Sequence, residues 1–132
     1  MCIFVREDFD FFSIPLDKYC KEKDIEVCAV RLQKPPIQLI ILAIYRSPSG
    51  NFTTFLKNLD SILSTWYSNK IEFVICGDIN INYLGNCKKR HQLDALLQTY
   101  NIIGTVSFPT SKSKASATTI DNIFITRTKI IL

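Results

Sequence analysis

Two runs of residues leave this chain few ways to fold. From Ile37 to Tyr45 the sequence is apolar on both alternating faces, broken only by Gln38, and Ile71 to Cys76 is a second, shorter run of the same kind. Successive side chains of a strand point to opposite sides, so such a run belongs inside a sheet that is covered on both faces. Between the two runs the chain turns through Pro48 and Gly50. Phe52, Phe55, Leu56, Leu59, Ile62, Leu63 and Trp66 then recur at steps of three and four. That period is an amphipathic helix, with Ser49 or Asn51 as its cap, and it makes the aromatic stripe part of the core. Two buried strands joined through a helix require a layered domain.

The remaining elements follow from the same reading. Cys2 to Val5 and Glu26 to Leu32 are predicted strands, and the short Pro35-Pro36 connection makes the second an antiparallel neighbour of the 37–45 strand. Residues 7 to 25 are expected to be irregular, with one short edge strand. A second helix is predicted from about Lys89 to Tyr100, with Leu93, Leu96, Leu97 and Tyr100 turned inward. A strand from Ile102 to Phe108, a loop from Pro109 to Ala117 and a strand from Thr119 to Thr126 complete the chain. No repeat and no shift of composition divides residues 1–132, so they are expected to form one α/β or α+β domain.

Composition excludes several classes. With 132 residues, 47% apolar and 21% charged, the chain is neither disordered nor fibrous. Its longest apolar run falls far short of the roughly 20 residues that cross a bilayer. Arg6, Glu7, Asp8 and Asp10 follow the first five residues too closely for a secretory leader, so a soluble, unsecreted, intracellular protein (cytoplasmic or nuclear) is expected. The five cysteines are odd in number and nowhere spaced Cys-x-x-Cys, which argues against disulfides and against zinc. The lone His91 follows a basic run and reads as a surface residue. Residues 1–66 carry 8 basic and 8 acidic side chains and residues 67–132 carry 8 and 4, so the net charge of +4 lies wholly in the second half. Lys88, Lys89 and Arg90, with Lys112 and Lys114, are the footprint a phosphate backbone could use, although a solvated basic face reads the same way.

Three places put polar groups where the pattern predicts packing: Tyr45-Arg46, Asp78-Ile79-Asn80 and Asp121-Asn122. Sites tend to lie at such breaks. Asp78 and Asn80 end a buried strand two residues apart, so in a continuing strand both would face one way. A carboxylate there can exchange a proton while an amide holds a phosphate oxygen or the attacking water. Tyr45 and Arg46 end the central strand and suit a phosphate. Asp121 shares a strand face with Ile123 and Ile125 and, if turned inward, needs a partner.

Tyr45-Arg46-Ser47-Pro48, Gly77-Asp78-Ile79-Asn80 and Ala117 to Phe124, taken in that order, resemble the endonuclease/exonuclease/phosphatase superfamily. The likeness is to the apurinic-endonuclease-like domain of non-LTR retrotransposons. Cys2-Ile3-Phe4-Val5-Arg6 is similar to that family's strand after a Gly-Gly pair. The resemblance implies part of a four-layered α/β sandwich of the DNase I-like type, with two packed mixed sheets and helices outside. It implies Mg²⁺-dependent hydrolysis of a DNA phosphodiester, as a fragment of a polyprotein that also holds a reverse transcriptase domain. Carried over, Asp78 positions or deprotonates water, Asn80 holds that water or the phosphate, and Tyr45 contacts the scissile phosphate. Asp121 orients the family's histidine, and Thr118 and Thr119 lie near the DNA backbone.

The family's N-terminal Asn, its metal-binding Glu and its closing Asp-His pair match nothing in these residues, so the metal ligands are unassigned and weak or absent activity is expected in isolation. The alternatives are a non-catalytic nucleic-acid-binding or interaction module, and a phosphoesterase for small substrates.

Overall fold

A computed structural model describes residues 2–34, 37–81, 88–105, 111–112, 117–118 and 121–127; at 34, 37, 111–112, 117–118 and 121–122 it describes the backbone alone. The strands are β1 (Phe11–Ile14), β2 (Glu26–Lys34), β3 (Ile37–Tyr45), β4 (Ile71–Asp78), β5 (Ile102–Gly104), β6 (Ser111–Lys112), β7 (Ala117–Thr118) and β8 (Asp121–Thr126). The helices are α1 (Phe52–Trp66) and α2 (Lys88–Thr99). Six strands form one mixed sheet in the order β1-β2-β3-β4-β8-β5, and β6 pairs with β7 separately.

β3 and β4, the two doubly apolar runs, lie side by side and parallel at the centre. A parallel pair needs a crossover, and α1 supplies it. Asn51 caps this helix, its side chain accepting from the Thr54 amide at 2.9 Å. Phe55, Leu59, Ile62 and Leu63 of α1 are at most 1% exposed. They join Ile40, Leu42 and Ile44 of β3 and Phe73 and Ile75 of β4 in one buried cluster, to which α2 adds Leu93 and Leu97. Burying each such side chain stabilises the fold by about 1.5–3 kcal/mol.

The alternate residues of the same strands are buried less completely. Leu39 and Ile41 of β3, Val74 and Cys76 of β4 and Ile125 of β8 are only partly buried, and Ile123 is 46% exposed. The protein has an α/β fold. Of the four layers expected, the described residues form two: a sheet, and helices on one of its faces.

Differences from the sequence reading are local. Cys2 to Val5 forms no strand; Ile3 and Val5 are half-buried between exposed Cys2, Phe4 and Arg6, so the alternation persists without a ladder partner. β4 runs on through Gly77 to Asp78 instead of stopping at Cys76. The expected loop at 109–117 holds a strand, since Ser111 and Lys112 pair with Thr118 and Ala117. Of the strand expected at 102–108, residues 102–104 pair with β8, while 106–110 lie outside the described residues, as do 119–120 of the last strand.

Tyr100, just after α2, meets Tyr67 edge-on with ring centroids 5.5 Å apart and donates to Asp60 Oδ1 at 2.6 Å. Burial first, then the bond to the Asp60 carboxylate, pushes its phenol up to about 12. The folded value lies above the ordinary 10.0, so the neutral phenol contributes stability in full below pH 10, and this is lost as pH rises through about 12. Ultraviolet titration is expected to show a phenolate step near pH 12 that Tyr100→Phe removes. If the step that Tyr100→Phe removes lies at ordinary tyrosine pH instead, this packing is contradicted.

Candidate active site

The register of three strands builds the site. Tyr45 is opposite Asp78 across the parallel β3–β4 pair, and Asp78 is opposite Asp121 across the antiparallel β4–β8 pair. Three residues far apart in sequence thus form one row at the carboxyl ends of the parallel strands, where open α/β sheets bind ligands.

Gly77 makes the row possible. Its φ is +127°, and a Cβ there would lie 1.9 Å from the Ile44 carbonyl oxygen, so only glycine lets β4 press this closely on β3. Past Asp78 the strand does not continue. Asn80 is left-handed, with φ +54°, and its amide donates to Asp78 Oδ1 at 3.1 Å. The expectation that Asp78 and Asn80 face one way along an extended strand is therefore corrected, because a local Asx turn replaces the strand. That turn still keeps the two residues together. Asn80 Nδ2 donates to the Arg46 carbonyl at 2.6 Å, and the Arg46 amide donates to the Asp78 carbonyl at 2.9 Å.

Arg46 is also corrected. Its place at the strand mouth suits a phosphate-binding residue, yet it is 1% exposed. Its Nε donates to the Ile79 carbonyl at 2.9 Å, Nη1 to Gly50 at 3.2 Å and Nη2 to Asn80 at 3.2 Å. The rings of Phe52 and Phe55 lie 5.3 and 5.9 Å from its guanidinium carbon. Burial lowers its pKa, and the charge of Asp78 opposes that shift. A guanidinium satisfied by backbone oxygens and aromatic faces is an internal brace that clamps the 46–50 loop to the 78–80 turn. Asp24 holds the far side of the same loop, accepting from the Asn51 amide at 2.7 Å, a bond that holds its carboxyl below the usual range.

Among the described residues, the Tyr45 hydroxyl, Asp78 Oδ2 and Asn80 Oδ1 have no hydrogen-bond partner, so a proton acceptor, a donor and an amide oxygen remain for a ligand. Lys89 Nζ lies 5.7 Å from the Phe52 ring, which brings the start of the basic run beside the Arg46 brace. Thr118 pairs with Ser111 in the separate β6–β7 ladder, and Thr119 lies outside the described residues. The sequence reading missed the contribution of Gly77, which was legible in principle, since an isolated glycine in an apolar strand signals a close backbone approach.

The described residues do not fit a resident magnesium ion. Among them no group of three or more His, Cys, Asp and Glu side chains converges on one point, and Asp78 contributes a single unpartnered carboxylate oxygen. Burial pushes the Cys28 and Cys76 thiols up, as expected for inert packing groups. None of the helices among the described residues is long and apolar enough to cross a membrane.

No protein family model matches the sequence, and no curated protein matches it. Solved structures do. The endonuclease domain of TRAS1, a telomere-specific non-LTR retrotransposon, superposes with a TM-score of 0.70 at 15% identity, over 90% of this chain and 54% of that one. A humanized D. rerio TDP2 gives 0.57 at 12%, over 94% and 54%. An endonuclease/exonuclease/phosphatase family protein from Leptotrichia buccalis gives 0.54 at 15%, over 76% and 41%. The chain has the endonuclease/exonuclease/phosphatase fold and spans about half the length of the structures it matches.

Proposed function

We propose that this chain, about half of an endonuclease/exonuclease/phosphatase fold, belongs to a Mg²⁺-dependent DNA endonuclease of a retrotransposon polyprotein that also holds a reverse transcriptase domain, and that it is weakly active by itself. The observation that supports this reading is the row Tyr45–Asp78–Asp121, with Asn80 locked beside it by the turn after β4.

In this reading Asp78 Oδ2 accepts a proton from a water while that water's oxygen attacks the phosphorus. Asn80 Oδ1 accepts the other hydrogen and fixes the water's orientation. The Tyr45 hydroxyl donates to a non-bridging phosphate oxygen, where negative charge builds up as the bond to the leaving oxygen breaks. That leaving oxygen takes its proton from solvent. Asp121 stands next to Asp78 in register, where it would orient a histidine, and Thr118 and Thr119 would meet the DNA backbone. Lys88 and Lys89, exposed at the start of α2, add the charge that draws a polyanion to this end. The magnesium requirement comes from the resemblance alone, and no step above passes through the ion.

The test is nicking of supercoiled plasmid with and without Mg²⁺ by the folded chain and by Asp78→Asn, which keeps an acceptor for the Asn80 amide. The variant is expected to nick about 10²–10⁴ times more slowly while binding DNA as well as the wild type. If the folded wild type binds DNA but never nicks it, the hydrolase reading fails and the non-catalytic nucleic-acid-binding module replaces it.

A further inference from the structure

At the end of the sheet opposite the row of Tyr45, Asp78 and Asp121, where α1 and α2 both end and β4 begins, lies a cavity of about 140 Å³. That is close to the volume that holds a benzene ring, roughly 150 Å³. Tyr67 and Tyr100, the residues that follow the two helices, stand edge-on to each other in its wall. The Tyr100 ring is fixed by its bond to Asp60 Oδ1, whereas Tyr67 is 45% exposed and keeps ring surface that the fold does not use. An aromatic ring left open at a ring-sized cavity is a stacking surface for a planar ligand.

Two charged side chains complete the lining. The β4–β8 register pairs Val74 with Ile125, and continued by two residues it puts Glu72 opposite Arg127. Opposite charges across a ladder stabilise it when they pair. Among the described residues, however, neither side chain has an ion-pair or hydrogen-bond partner, and both are exposed. The backbone that carries them is held firmly. The Arg127 amide donates to the Asn101 carbonyl at 2.8 Å, and Asn101 Nδ2 donates back to the Arg127 carbonyl at 3.3 Å. Beside Glu72, the Phe73 amide donates to Thr126 Oγ1 at 2.7 Å. The rim of the cavity thus presents a carboxylate and a planar guanidinium fork, side by side and both unused.

We propose that this cavity binds a guanine base. Guanine has two adjacent donors, N1–H and N2–H, that match both oxygens of a carboxylate, and two adjacent acceptors, O6 and N7, that match a guanidinium. Glu72 accepts from the first pair and Arg127 donates to the second, while the ring lies on Tyr67 and the sugar stays outside. Adenine, cytosine and uracil each offer Glu72 a single nitrogen that carries hydrogen, so none of them satisfies both side chains in this way. From Ile71 at this cavity to Asp78 at the row β4 spans roughly 20 Å. One nucleotide does not reach across that distance, so the site is separate from the row and the proposal does not rest on the hydrolase reading.

Isothermal titration calorimetry of the full chain with GMP, AMP, CMP and UMP tests it. GMP is expected to bind about tenfold or more tightly than the other three. Glu72→Gln, which exchanges one acceptor for a donor, and Arg127→Gln should each weaken GMP by about tenfold. Both side chains are exposed, so the urea midpoint should stay unchanged. A DNA hairpin ending in one unpaired guanosine, compared with its blunt form, identifies the source of the base. A gain over the blunt form that Glu72→Gln removes assigns the site to a nucleic-acid strand, and GMP binding without such a gain assigns it to a free nucleotide. The proposal is overturned if GMP does not bind at millimolar concentration or if the four nucleotides bind equally. It is overturned equally if GMP binding is indifferent to both substitutions.

Discussion

Gly77→Ala is expected to destabilise the protein by about 3–5 kcal/mol, a large share of the 5–15 kcal/mol that holds a domain of this kind together. Two costs combine. At φ +127° a side chain clashes with its own backbone, and the new methyl would stand 1.9 Å from the Ile44 carbonyl oxygen. Neither atom can step aside, because Ile44 is paired with Val27 on one side and Gly77 with Asn122 on the other. Relief requires β3 and β4 to separate at the end that carries Tyr45 and Asp78, so the register of the site should loosen with the fold. Urea unfolding measures the loss as a lower midpoint. An alanine variant with wild-type stability would show that the strands do not approach each other this closely.

Arg46→Met is the second large effect, about 3–5 kcal/mol of lost stability. The methionine keeps much of the stem and its contact with Phe52 and Phe55 but leaves the carbonyls of Gly50, Ile79 and Asn80 without their donor. Each buried acceptor left unsatisfied costs about 1–3 kcal/mol, partly offset where water can reach it. Arg46→Lys should recover only part of the loss, because one ammonium cannot span three carbonyls held in a planar fork. The measurement also separates the two roles considered for this residue. A surface phosphate ligand would lose DNA affinity and keep its urea midpoint, whereas the brace loses its midpoint first.

The candidate site was legible in outline. Tyr45, Asp78 and Asp121 each interrupt an apolar pattern, and an interruption of that kind is visible in one dimension. That they share one row is not, because it depends on β3 and β4 pairing in parallel through α1 and on β8 joining β4 from a distant part of the chain. Asn80 illustrates a different limit. Its alternation with Asp78 assumes extended backbone, and the local bond from its amide to Asp78 Oδ1 wins over that assumption. For Arg46, sequence neighbours such as Tyr45 and Ser47 suggest a strand mouth open to solvent. Its burial follows only from the Phe52 and Phe55 rings and the Ile79 and Asn80 carbonyls, which come from two other elements.

What the sequence determined by itself is therefore the set of periods: nine residues apolar on both faces, a helix stepping by three and four, a second buried strand, and polar residues placed at their ends. Those periods dictate burial, burial dictates layers, and the α/β class follows from side-chain chemistry that each residue carries alone. The tertiary structure decided everything that depends on two segments meeting. It set the order of the strands, the row that unites Tyr45, Asp78 and Asp121, and the inward turn of Arg46. The reason is physical: solvation preference belongs to a residue, whereas a hydrogen bond, a register and a close approach belong to pairs, and the chain must be folded before those pairs exist.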